Sequence, residues 1–171
     1  MAPITIGARG PGEDGDAVAA LAACHGRIRS FAATARRLAE ADASVPASEI
    51  AAAAQAVHRY FTVGLPLHVL DEEESLRPRL VAAVGAALDR MSAEHRRIED
   101  ALQALVPTWE ELRARPGARL RDEALVRAAR DLEALLEAHL VAEEREIFPA
   151  LGRLPAALRT TIREELRARR R

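Results

Sequence analysis

Long apolar runs are missing from this sequence of 171 residues, and nothing approaches the roughly 20 consecutive apolar residues a membrane-spanning helix needs. The N-terminus also lacks a signal-peptide core, so a cytoplasmic protein is the default expectation. Cys24 stands alone, which excludes an internal disulfide and any CxxC zinc or redox pair. Neither sign of charge dominates: the formal net charge is −1 with acids and bases interspersed, leaving no electrostatic footprint for nucleic acid or an anionic membrane. The basic end from Arg167 to Arg171 is too short to alter that. Aromatics make up only 3% of the chain and β-branched residues are scarce, so the apolar 49% is mostly alanine and leucine. Such a mixture favours close-packed helices, because these residues lose little entropy in a helix.

What is there has helical period throughout, and no segment alternates like a strand. Residues 1–15, with Gly7, Gly10, Pro11, Gly12 and Gly15, read as an irregular lead-in. A first helix is expected from about Asp16 to Asp42, with Val18, Leu21, Ile28 and Leu38 on its seam. A second starts near Ser48, carries Ile50, Val57 and Phe61, is disturbed at Gly64 and Pro66, and should stop before Pro78. The third runs through Leu88, Met91, Ile98, Leu102 and Leu105, with a kink expected at Pro107, and ends by Pro116-Gly117. The fourth spans about Leu120 to Ile147, and a short fifth about Pro155 to Arg169. The expected fold is all-α: an antiparallel four-helix bundle over residues 16–151 with a short C-terminal helical appendage over 152–171.

Four of the five histidines sit on these seams, one per helix. His25 lies four after Leu21 and three before Ile28, and His95 four after Met91 and three before Ile98. His68 is seven after Phe61, and His139 is three after Leu136. One histidine on an apolar face is usually a hydrogen-bonded core residue. Four, one on each helix, are costly to bury separately and are satisfied together by a shared metal. His68 and His139 each have a carboxylate one turn on, Glu72 and Glu143, in matching HxxxEE segments whose likeness runs on through Pro78 and Pro149. His25 and His95 are 70 residues apart, His68 and His139 are 71, so the chain reads as two copies of one H…HxxxEE hairpin. Within each hairpin both histidines stand about 20 residues from the loop, or roughly 30 Å along the helix, which sets them level.

The H…HxxxE…H…HxxxE pattern over residues 25–143, with the trailing Glu-Glu-Ser-Leu-Arg-Pro and Glu-Arg-Glu-Ile-Phe-Pro segments, resembles the hemerythrin-like, or HHE cation-binding, family. The resemblance implies a non-haem di-iron centre: His25, His68, His95 and His139 as terminal ligands, Glu72 and Glu143 as bridging carboxylates, and an oxo or hydroxo bridge completing it. A ligand set of nitrogen and oxygen suits iron, though manganese or zinc also fits. The implied partners are small: oxygen, nitric oxide or peroxide, sensed, stored or acted upon. Two positions depart from the oxygen-carrying hemerythrins. Glu99 stands where they have a second histidine on helix three, and their helix-four acid falls five residues after the histidine, at Glu144 here. A site richer in carboxylate favours oxidised iron over reversible oxygen carriage. Glu99, Tyr60 and Glu144 are candidate additional or supporting groups, and His58 is placed near the site or at the surface.

Other readings lack their motifs. Glu-x-x-His tetrads of the ferritin-like class are absent, as are HExxH and Gly-rich phosphate loops. The alternative from another class is a metal-free helical interaction module that dimerises through the fifth helix, or an iron-holding protein without redox chemistry; the first leaves the repeated pattern unexplained.

Overall fold

A computed structural model describes residues 16–118 and 122–171, and within them the secondary structure is entirely helical. Seven α-helices follow in order: α1 (Ala17–Ala39), α2 (Ala47–Arg59), α3 (Leu65–Leu70), α4 (Arg77–Ala114), α5 (Glu123–Glu146), α6 (Phe148–Gly152) and α7 (Ala156–Ala168). Two helices start on aspartate caps. The Asp16 carboxylate accepts from the amides of Val18 and Ala19, and Asp122 from those of Ala124 and Leu125. Pro46 and Pro155 precede α2 and α7, where a missing N–H costs nothing. The expected lead-in over residues 1–15 and the start of the fourth helix at Leu120 lie outside the described residues.

Helix two does not stop before Pro78. The chain stays helical from α2 into α4 through two widened π-turns, Tyr60–Gly64 and Asp71–Leu76. Each ends just ahead of a proline in the first turn of the next helix, Pro66 or Pro78. A proline ring crowds the carbonyl four residues back. Opening the turn to i→i−5 bonding relieves the crowding, and the amides of Leu65 and Arg77 accordingly reach Tyr60 O and Glu72 O. The break falls later, at Val84, whose backbone leaves the helical region (φ −141°, ψ 34°). Pro107 lies inside α4. Gly64 is required by a close approach, since a Cβ there would come within 2.9 Å of the Tyr60 ring.

The helices pack as a bundle, α1 against α2 and α5, and α4 against α2 and α5. Their buried apolar side chains form two clusters rather than one. The larger runs from Ile28 to Val57 on α1 and α2 and includes Leu105, Trp109, Leu132 and Leu140. The smaller gathers Leu21, Leu76, Leu80, Met91, Ile147 and Leu151 with Ile162 and Leu166 of α7. Ile162 and Leu166 of α7 are buried within their own chain, the helix packing against α1 and the second π-turn, while Leu158 is exposed. Among the described residues, no helix is long and apolar enough to cross a membrane.

Candidate metal centre

The gap between the two clusters is a polar layer. The α1 seam passes from Leu21 in the small cluster through His25 to Ile28 in the large one, and the α4 seam from Met91 through His95 to Ile98. His68 on α3 and His139 on α5 come in from the other two sides. All four histidines are buried, as are Glu72 and Glu143 at 1% and 2% exposure.

The six side chains form two groups. Ligand atoms of His25, His68, Glu72 and Glu143 lie within 4.8 Å of one another, and so do those of Glu72, His95, His139 and Glu143. Both carboxylates belong to both groups. Glu72 sets one oxygen 3.1 Å from His68 Nε2 and the other 3.1 Å from His95 Nε2. Glu143 sets one 3.3 Å from His25 Nε2 and the other 3.2 Å from His139 Nε2. The imidazoles pair accordingly, with ring centroids 5.3 Å apart for His25–His68 and 4.9 Å for His95–His139. Of the four contacts only His95–Glu72 has hydrogen-bond geometry, so among the described residues the Nε2 atoms of His25 and His68 and both Glu143 oxygens are buried without a hydrogen-bond partner. Orphaned buried lone pairs gathered this closely are what a cation would satisfy. The donor set fits a pair of divalent transition ions.

The electrostatics carry the same mark. Burial, with the adjacent Glu72 carboxylate, pushes Glu143 up to about 8, and burial drives Glu72 well above the usual carboxylate range. Burial takes His139 down to about 4 and His68 well below the ordinary histidine value, helped by the neighbouring imidazoles. At neutral pH the ion-free layer consequently favours protonated Glu72 and Glu143 and neutral His68 and His139.

Outside the layer, carboxylates accept from three of the four remaining ring nitrogens, those of His25, His95 and His139. Glu144 lies 2.9 Å from His25 Nδ1, Glu73 3.0 Å from His95 Nδ1 and Glu94 2.9 Å from His139 Nδ1. Such contacts fix the tautomer that leaves Nε2 free to bind a metal, and raise its basicity. Glu144 thus stands behind His25 rather than in either group. Glu73 and Glu94 were not singled out from the sequence. Glu73 was legible there as the repeat counterpart of Glu144, whereas Glu94 supports a histidine on another helix. Glu99 is exposed and lies in the wall of a cavity of about 820 Å³ between the α2–α3 side and α4. Phe61, Leu65, Val69, Ile98 and Leu102 give this cavity its apolar lining, and Glu73 and His95 also face it. Tyr60 stacks on Phe31 at 4.0 Å, and His58 is half-buried; neither joins the two groups. Cys24 is buried.

A helical bundle with a buried layer of four histidines around two shared carboxylates defines a class of cation-binding bundle. The Hemerythrin HHE cation binding domain matches residues 16–151, most of the chain, and the protein belongs to that family. No curated protein matches it.

Proposed function

We propose that the polar layer is a di-metal centre, iron being the ion its ligands suit best, that takes up a small ligand such as oxygen, nitric oxide or peroxide. The observation that carries this reading is the sharing of Glu72 and Glu143 between two four-residue groups, each completed by its own pair of histidines. In this reading His25 and His68 would hold one ion and His95 and His139 the other, with Glu72 and Glu143 shared between them. Residues 16–151 form an antiparallel four-helix bundle and residues 152–171 an appendage ending in the fifth helix, in keeping with the pairing of α1 with α5 and of α2 with α4. A buried free cysteine suits a reducing compartment such as the cytoplasm.

Bound iron would supply a redox couple and Lewis acidity toward the small ligand. The chain does the rest. Its Nδ1-bound carboxylates keep three imidazoles oriented, and the apolar clusters above and below keep bulk water out of the layer. The cavity beside His95 gives a small ligand an apolar approach. Glu99 in its wall adds negative charge on that side, which favours the ferric state over a stable oxygenated one.

Elemental analysis after reconstitution with ferrous iron should find about two ions per chain; less than about half an ion of any transition metal would overturn the reading. Stopped-flow mixing of the reduced protein with oxygen should show at most a transient oxygenated spectrum. A reversible spectrum lasting hours would favour carriage, and no reaction with oxygen, nitric oxide or peroxide would leave an iron-holding role.

A further inference from the structure

The internal repeat sets up four equivalent supports behind the four histidines, and among the described residues only three are filled. Aligning the hairpins on His25 and His95 pairs Cys24 with Glu94, each directly before the first histidine of its hairpin. With one residue more between the histidines of the second hairpin, His68 pairs with His139 and Glu73 with Glu144. Two supports obey the repeat across hairpins: Glu73 accepts from His95 and Glu144 from His25. Glu94 accepts from His139. Its counterpart would be residue 24 supporting His68, and there the carboxylate is replaced by the Cys24 thiol. His68 Nδ1 is buried and has no hydrogen-bond partner among the described residues. The sulfur is instead occupied by guanidiniums, Arg27 Nη2 at 2.8 Å and Arg170 Nη2 at 3.8 Å.

We infer that the two metal positions are unequal, the His25–His68 position being the weaker, filling second and emptying first, and that Cys24 in place of a glutamate sets the difference. The inference rests on the di-metal reading above. An ion on His68 Nε2 obliges the ring proton to sit on Nδ1, where it becomes a buried N–H with nothing to accept it. On His139 the same proton is received by Glu94, and on His95 by Glu73, itself held by the Ser92 hydroxyl at 2.7 Å. The His25 support is diluted as well, because Glu144 also accepts from Arg29 at 2.8 Å. One position thus has two carboxylates behind its imidazoles, the other one carboxylate already neutralised by an arginine. Loss of such a support typically weakens metal binding by about 10–100-fold.

The test is a calorimetric titration of chelator-stripped full-length protein with Co²⁺, followed in parallel by its visible spectrum, which reports ligand geometry. The parent should bind in two steps, the second at least about 10-fold weaker. Cys24→Glu should tighten the second step so that the two merge, while Cys24→Ala should leave both steps as in the parent. Glu94→Cys, which moves the defect to the other hairpin, should weaken the first step by about 10–100-fold and serves as the check should Cys24→Glu not fold by circular dichroism. Two equal steps in the parent, unequal steps that neither exchange alters, or a second step weakened in Cys24→Ala would each overturn the inference while leaving two bound ions and the di-metal reading intact. Failure to bind Co²⁺ at all would overturn both.

Discussion

Glu72 and Glu143 each face two histidines on different helices, one through each carboxylate oxygen. Acids a few residues further along make no such contact: Glu74 is exposed and paired with Arg169, and Glu146 pairs with Arg90 and Arg145. Glu72→Ala and Glu143→Ala should therefore each reduce metal content to about one ion per chain or fewer, because both positions lose a donor together. Glu74→Ala, Glu146→Ala and His58→Ala should retain about as much metal as the parent. Elemental analysis of the five variants decides it, and metal-free His58→Ala alongside loaded Glu143→Ala would show that the layer has been misread. The six residues were legible in the sequence because a 3.6-residue period fixes which side chains share a face, and a repeat fixes which faces correspond. Glu94 was not, since its bond to His139 depends on how α4 and α5 are set against each other, which periodicity does not encode.

At the scale of elements the helices were legible and the joints between them were not. Pro78 reads as a stop because it removes an amide and crowds the preceding turn, yet the π-turn Asp71–Leu76 absorbs it and carries the chain onward to Val84. That turn holds Glu72 and also buries Asp71, which is fully enclosed. Arg169, one residue past the end of α7, donates to Asp71 Oδ1 at 3.1 Å and to Ser75 Oγ at 2.8 Å, and Arg170 binds the other Asp71 oxygen. The basic end of the chain, unremarkable as sequence, is thus the partner of a buried acid beside a candidate ligand. Burial drives the Asp71 carboxyl up and these arginines oppose it. Removing Arg169–Arg171 leaves that acid enclosed without a cation. The loss should be about 2 kcal/mol, below the ~3–5 kcal/mol of a fully enclosed pair because both guanidiniums reach water. Urea unfolding of the truncated and parent proteins measures it, and an unchanged midpoint would mean that the pairing contributes nothing. Asp71→Asn in the truncated chain should recover part of the loss, since a neutral amide tolerates the enclosure.

In the molecule as a whole, an apolar core is cut in two by a layer in which several buried polar atoms lack hydrogen-bond partners among the described residues. Such a layer costs stability in the ion-free state, and a cation bound only by the folded chain returns it through linkage. Proton and cation compete for the same oxygens, so the return depends on pH. Glu143 holds its proton up to about 8 in the fold, whereas an unfolded carboxyl releases it near 4.3. Between those values the folded, ion-free chain binds more protons than the unfolded one, and its stability falls as pH rises, by about 1.4 kcal/mol per pH unit for each proton so held. His139, taken down to about 4, acts oppositely: below about 6.5 the unfolded chain gains protons that the folded one refuses, so stability falls as pH drops through that range. Between about pH 6.5 and 8 the histidine contribution is over and the carboxyl contribution remains. A bound ion replaces the carboxyl proton and removes that dependence, and its own affinity rises as the competing proton is lost. The melting temperature of the iron-loaded protein should thus exceed that of the stripped protein by a margin that widens from pH 6.5 to pH 8. Thermal unfolding of both forms at pH 6.5, 7.2 and 8.0, at constant free metal, measures the margin. A constant or narrowing gap would show that Glu72 and Glu143 do not exchange a proton for the ion, and a gap of zero would place the ion outside the layer.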